Sequence, residues 1–258
     1  MSLWHAFIFG IIEGLTEFLP VSSTGHLVLT SKLLGLLQAD FLKSFEISIQ
    51  LGAILSVVFL YWKELLVDFK IIKRVLAAFI PTAVIGLLFY KTVKNFLLGN
   101  EKIVLWALFG GGIFLVVFEL FYREKPDVVF QLEKISYKQS FIVGLFQSVA
   151  IIPGISRSAA TIIGGLCLGL KRKTIVEFSF LLAVPTMLAA SSLDLIKNAH
   201  SFSSDQFIFL IVGFLTSFAV AIASIKFLLF FVKNNNFISF GIYRIILALS
   251  FWLIILRR

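Results

Sequence analysis

Two stretches of this chain carry side chains able to act on a phosphate. The first holds Glu13, Glu17, Ser22, Ser23, Thr24 and His26; the second holds Ser156, Arg157 and Ser158. Carboxylates, an imidazole, a guanidinium and a run of hydroxyls make up the tool set of phosphoryl transfer: a nucleophile, a proton acceptor and a cation shaped for phosphoryl oxygens. Both stretches lie within apolar sequence. An ionisable side chain at mid-bilayer costs on the order of 2.5–3.5 kcal/mol on insertion scales, so its default reading is a functional one. Taken singly, each group has a plainer explanation. Serines after a proline cap helices, a lone histidine packs, and an arginine pairs with Glu13 or Glu17. Two Glu, a His, an Arg and five hydroxyls on two broken helices read as one site.

Glu13 and Glu17 are four residues apart and share one face of a helix. Pro20 lacks an amide donor and disfavours helix at Leu19, so the first half-helix should stop there. Ser22 or Ser23 then caps a second half-helix through His26. Pro153-Gly154 repeats the break, and Ser156-Arg157-Ser158 opens the next helix. A helix start offers free amides and the positive end of its dipole to an anion. Ser22, Thr24, Gly25, Gly154, Ser156 and Ser158 are thus expected on the anion, and Arg157 adds a bidentate fork for phosphoryl oxygens. Two carboxylates beside an anion call for one of two devices. Glu13 and Glu17 hold a divalent cation, Mg2+ or Ca2+, that bridges to the phosphate, or one of them is kept protonated as a general acid or base. The nucleophile stays open between Ser23, with His26 at i+3 as its base, and His26 itself.

The elements that must hold these groups are transmembrane. The chain has 258 residues, 59% hydrophobic and 14% charged, where soluble domains carry about 25% charged residues. The fold class expected is all-α and polytopic, with spans near 44–62, 75–90, 103–122, 177–196, 207–232 and 238–256. The regions 4–34 and 140–170 are too broken for one span and too short for two. Each is expected as a re-entrant helical hairpin, its tip buried against other helices. Gly14-Leu15 matches Gly144-Leu145, and Glu46-Ile47-Ser48 matches Glu177-Phe178-Ser179. Hairpin, charged loop and three spans recur in both halves. One membrane domain, 1–258, therefore divides into repeats of about 1–125 and 135–258. Three spans being odd, the second repeat is inverted, with the site at the repeat interface.

The net charge of +9 sits mostly in short loops and suits anionic lipid headgroups; no long basic stripe points to nucleic acid. Twelve loop cations, among them Lys63, Lys70, Arg74, Arg123, Lys125 and Lys171, face eight on the other side, among them Lys32, Lys94, Lys102, Arg257 and Arg258. The larger set is assigned to the cytoplasm, so the first hairpin opens outward. Cys167 is expected as a buried small side chain. Lys226 and Arg244 are expected to snorkel, and Glu119 to pair with Arg123 at i+4. Gln147 stands where the first hairpin has Glu17, and His5 and His200 read as interfacial.

At Glu13-Gly-Leu-Thr-Glu17-Phe-Leu-Pro-Val-Ser-Ser-Thr-Gly-His26 and Pro153-Gly-Ile-Ser156-Arg157-Ser158-Ala-Ala-Thr161 the sequence resembles the undecaprenyl-pyrophosphate phosphatase family, the integral-membrane bacitracin-resistance proteins. The likeness extends over the whole chain in length and segment order. It implies hydrolysis of undecaprenyl pyrophosphate to undecaprenyl phosphate and inorganic phosphate, which recycles the lipid carrier of cell-wall synthesis. It further implies a bacterial plasma membrane, a divalent cation, an outward-opening site, and bacitracin tolerance through removal of that antibiotic's ligand. By the same resemblance Glu17, Ser23, His26 and Arg157 form the catalytic core, with Glu13, Thr24 and Ser156 in support. Membrane lipids are the other expected partners, and a homodimer is compatible with the pattern. Two other readings compete. A type 2 phosphatidic-acid phosphatase needs a His after its Ser-Arg element, and none occurs within the forty residues after Arg157. A polyprenyl-phosphate transporter shares the broken-helix architecture but has less call for a carboxylate pair beside its anion.

Overall fold

The computed structural model describes residues 1–36, 40–93, 97, 100–124, 129–198 and 206–256. His200, Lys94, Lys125, Arg257 and Arg258 lie outside them. Eleven α-helices are found there: α1 (Leu3–Thr16), α2 (Ser23–Leu33), α3 (Asp40–Leu60), α4 (Trp62–Leu66), α5 (Phe69–Thr92), α6 (Glu101–Phe121), α7 (Tyr137–Ser148), α8 (Arg157–Cys167), α9 (Arg172–Asn198), α10 (Phe207–Phe231) and α11 (Ile238–Leu256). The only β feature among the described residues is an isolated bridge between Val129 and Leu170. The chain is an all-α polytopic membrane protein.

Polar residues at the loop boundaries start the helices. Ser2 and His5 form a reciprocal capping box on α1, and Ser136 and Gln139 form another on α7. Asp68 caps α5 through the amides of Lys70 and Ile71, and Asn100 caps α6. Four helices are long and apolar enough to cross a bilayer: Phe69–Thr92, Glu101–Phe121, Arg172–Ser192 and Phe207–Phe231. The other two expected spans, α3 and α11, contribute shorter apolar stretches, Ser44–Leu60 and Ile238–Ile254.

The interrupted regions form two helical hairpins. With 14 and 11 residues, α1 and α2 reach only about 21 and 16 Å at 1.5 Å per residue, short of the roughly 30 Å hydrocarbon core. The pair α7 and α8, of 12 and 11 residues, is equally short. Within each pair the helices pack on each other, and each hairpin leans on a long helix: α1 on α10, and α7 on α5. Both contacts depend on a matched glycine. A Cβ on Gly14 would meet the Ser217 carbonyl of α10, and one on Gly144 would collide with the Ala78 carbonyl of α5. The partners exchange between the halves: α3 also packs on α10 and α9 on α5, while α6 and α11 pair with each other. The tip of the first hairpin is anchored by Phe18, fully buried and edge-on to Phe180 of α9 at 5.3 Å.

Three side chains depart from the sequence expectations. Arg244 does not snorkel; it is 1% exposed, because α6 leaves it a slot. Glu119 is buried and pairs with both terminal nitrogens of Arg172 instead of Arg123, also accepting from the Phe237 amide. Arg172 in turn lies over the rings of Tyr122 and Phe237, so α9 supplies the partner that local spacing assigned to Arg123. Cys167 is exposed, since it ends α8 where the hairpin emerges. Lys226 is exposed.

Candidate active site at the two hairpin tips

Each hairpin turns back through a serine in the left-handed region. Ser22 has φ 71° and ψ 95°, and Ser156 has φ 77° and ψ 114°. They are the only non-glycine residues with positive φ among those described. Such a conformation costs of order 1–3 kcal/mol and concentrates at functional sites. Each serine is also the N-cap: Ser22 Oγ accepts from the Gly25 amide at 3.3 Å, and Ser156 Oγ accepts from the Ala159 amide at 3.2 Å. The first residue of each following helix is then Ser23 in one hairpin and Arg157 in the other.

These two residues converge on Glu17, which is 7% exposed. Ser23 Oγ donates to Glu17 Oε2 at 2.5 Å, and Arg157 Nη2 donates to Glu17 Oε1 at 3.2 Å. Arg157 Nη1 donates to the Ser179 carbonyl of α9 at 2.9 Å. Ser158 Oγ donates to the Leu19 carbonyl at 2.8 Å and lies 3.2 Å from Ser156 Oγ. The tips are thus bound directly to each other. A cavity of about 110 Å³ opens between them, lined by both elbows, from Glu17, Ser22, Ser23 and Thr24 to Pro153, Gly154, Ser156 and Arg157, with Gln50 of α3 and Met187 of α9. Ser158 is buried and is not among its lining residues, and the Gly25 amide is engaged by Ser22.

His26 is close in sequence but turned to a different partner. Its Nδ1 lies 2.7 Å from the Ser22 carbonyl, and its Nε2 lies 2.7 Å from the Tyr243 hydroxyl of α11, with the two rings stacked at 5.6 Å. A carbonyl can only accept, so Nδ1 carries the proton. The hydroxyl of Ser23 is therefore held by Glu17, where spacing alone had offered His26 as its base.

Glu13 is fully buried, and neither of its carboxylate oxygens meets a hydrogen-bond donor among the described residues. Glu17, Glu46 and Arg157 are the charged groups that act on it. An orphaned carboxylate next to a second one is a donor set that a divalent cation satisfies, the remaining ligands being water and substrate oxygens. No cluster of three or more His, Cys, Asp or Glu forms among the described residues.

Gln50, Ser179 and Tyr243 were not anticipated. Gln50 lies four residues after Glu46 within an apolar helix, a spacing that could have flagged it. Tyr243 gave no signal, its partner being 217 residues away. Gln147, in the place of Glu17, donates to Thr82 of α5 at 2.9 Å and to Thr186 of α9 at 3.0 Å, so the second hairpin carries an amide where the first carries the acid.

The sequence model of the family described as "Bacitracin resistance protein BacA" matches residues 6–250. The undecaprenyl-diphosphatase of Persephonella marina is 53% identical over 256 residues, 99% of this chain and 100% of that relative. The undecaprenyl-diphosphatase of Aquifex aeolicus is 51% identical over 251 residues, 97% and 98% of the two chains. That of Wolinella succinogenes is 50% identical over 251 residues, 97% of each.

Proposed function

The chain belongs to the bacitracin resistance protein family, and from that premise we infer that it hydrolyses undecaprenyl diphosphate to undecaprenyl phosphate and inorganic phosphate, as its relatives' name describes. The activity recycles the lipid carrier of cell-wall synthesis and confers bacitracin resistance. The observation that carries the reading is the convergence of Ser23 and Arg157, from opposite hairpins, on the single carboxylate Glu17.

That contact supports Ser23 as nucleophile with Glu17 as its base. The terminal phosphoryl group enters the cavity between the elbows. Glu17 takes the hydroxyl proton while Ser23 Oγ bonds to the terminal phosphorus. The anhydride P–O bond breaks, and undecaprenyl phosphate leaves with the bonding electrons. Water then attacks the phosphoserine phosphorus; the protonated Glu17 returns its proton to Ser23 Oγ as that P–O bond breaks, and inorganic phosphate leaves carrying the water's protons. Arg157 already spends Nη1 and Nη2 on Ser179 and Glu17, while its Nε is buried without a partner. It therefore serves as a fixed cation that holds Glu17 in place and stabilises phosphoryl charge through its field and its remaining N–H donors. His26 has both ring nitrogens engaged, Nδ1 by the Ser22 carbonyl and Nε2 by the Tyr243 hydroxyl, and acts by holding the turn that presents Ser23. Glu13 and Glu17 would hold a Mg2+ or Ca2+ ion, which when bound offsets the charge of the diphosphate.

The inverted arrangement of the two repeats is part of the same reading. The exchange of packing partners, α1 with α10 and α7 with α5, supports it. In a bacterial plasma membrane the larger set of loop cations then faces the cytoplasm and the first hairpin opens to the outer face. The hydrocarbon tail lies between helices in the bilayer while the headgroup reaches the tips.

The test is phosphate release from a long-chain polyprenyl diphosphate by the purified, detergent-solubilised protein, beside Ser23→Ala and His26→Ala. Release abolished in Ser23→Ala, with a radiolabelled phosphoserine trapped on the wild type, supports the scheme. Label trapped on His26, or release by well-folded Ser23→Ala near the wild-type rate, refutes it.

A further inference from the structure

Helix α6 contains three consecutive glycines, Gly110, Gly111 and Gly112, each costing about 1 kcal/mol in a helix relative to alanine. The middle one has an identifiable use. A Cβ on Gly111 would collide with the guanidinium of Arg244. The slot it leaves lets Arg244 cross α6 and reach the second elbow. Arg244 Nη2 donates to the Gly154 carbonyl at 2.9 Å and to the Ala107 carbonyl of α6 at 3.0 Å. Its Nε is buried without a partner, and none of the ion pairs among the described residues includes it. A buried cation with no carboxylate carries a desolvation penalty of several kcal/mol. An anion nearby offsets that penalty, and Gly154 lines the cavity in which the diphosphate is bound.

The preceding residue reaches the other hairpin. Tyr243 meets His26 Nε2 at 2.7 Å with its ring stacked on the imidazole. Two successive residues of α11 thus hold one group from each tip: His26 of the first and the Gly154 elbow of the second.

We propose that Tyr243 and Arg244 are positioning residues that hold the two hairpin tips in register for the reaction. Tyr243 donates to Nε2 and fixes His26 in the Nδ1–H tautomer. Arg244 pins the Gly154 carbonyl against α6 and adds a fixed positive charge beside the bound diphosphate. The kinetic part of this rests on the phosphatase reading; the tautomer part does not.

The experiment compares Tyr243→Phe, Arg244→Met, Arg244→Lys and Gly111→Ala with wild type, in detergent, for kcat and KM on a long-chain polyprenyl diphosphate. In parallel, 15N-histidine NMR is recorded on wild type and Tyr243→Phe, with His26→Ala assigning the His26 signals. Tyr243→Phe should lower kcat about tenfold, equal to 1.36 kcal/mol, at unchanged KM, and should move the His26 Nε2 resonance. Arg244→Met should raise KM at least about tenfold, Arg244→Lys should recover most of that, and Gly111→Ala should reproduce the Arg244→Met defect by filling the slot. If Arg244→Met fails to fold, Arg244→Lys and Gly111→Ala carry the comparison. The proposal is overturned by a Tyr243→Phe enzyme with wild-type kcat and an unmoved His26 signal. It is equally overturned by a folded Gly111→Ala or Arg244→Met enzyme with wild-type KM. Absence of phosphate release by the wild type would sink the phosphatase reading instead, and the His26 signal would then decide the Tyr243 contact by itself.

Discussion

Replacing Glu17 by glutamine isolates the charge of one carboxylate at almost constant shape. Glu17 is 7% exposed, so the isosteric amide keeps the packing around the tip. Its electrostatics fail on both sides. Glu17 now accepts from Ser23 on one oxygen and from Arg157 on the other. An amide has a single oxygen, so its NH2 group must oppose either the serine hydroxyl or the guanidinium. One hydrogen bond to a charged group is lost, worth about 1.5–3 kcal/mol, and Ser23 loses its proton acceptor. A positioned base contributes about 100- to 10,000-fold, or roughly 2.7–5.4 kcal/mol at 1.36 kcal/mol per decade. Glu17→Gln should therefore lower kcat by at least about 100-fold while eluting and melting much as wild type does. The assay is phosphate release at saturating polyprenyl diphosphate, with size-exclusion and thermal-melt controls on the same preparation. A folded Glu17→Gln enzyme within tenfold of wild type would refute the base assignment and reduce the Ser23–Glu17 contact to a structural one.

Arg157→Lys keeps the charge, yet one ammonium cannot span Ser179 and Glu17 as the guanidinium does, so kcat/KM should fall at least about tenfold; wild-type kinetics would show that the fork is dispensable. A chelator should abolish phosphate release and added Mg2+ or Ca2+ should restore it, with Glu13→Gln needing more cation for half-maximal rate; chelator-insensitive release would remove the cation from the scheme. Arg172→Ala strands the buried Glu119 carboxylate and should cost about 3–5 kcal/mol of stability, read as a lowered melting temperature in detergent with kcat retained at low temperature; an unchanged melt would mean that Glu119 finds another partner.

The long spans and the two hairpins could be read from hydropathy because lipid and water impose that pattern one residue at a time. The chemistry-bearing residues could be read for the same reason: charge within apolar sequence is expensive and local. What escaped was set by the approach of distant segments. Arg244 looked like a snorkelling side chain near a helix end, and only Gly111 on another helix makes room for it. Glu119 has Arg123 at the right spacing, but Arg172, 53 residues away, offers two nitrogens and a buried position. Ser23 was matched with His26 by helix periodicity, whereas the turn at Ser22 faces its hydroxyl toward Glu17. The left-handed backbone of Ser22 and Ser156 has no residue-type signal, since serine rarely adopts it and tertiary packing has to enforce it.

The pairing of α1 with α10 also governs how the protein is made. Gly10 and Gly14 press against the backbone at Gly213 and Ser217, about 200 residues further along the chain. At about 5–20 residues per second, that partner leaves the ribosome roughly 10–40 s after α1 does. Throughout that interval the first hairpin sits in the membrane with Glu13 and Glu17 but without the helix that covers its glycine face, and Glu17 still lacks Arg157. During synthesis, then, the half-made protein must shelter two carboxylates by its own means or with the help of the insertion machinery, and the ion pair of Glu17 with Arg157 can close only after Arg157 has been translated.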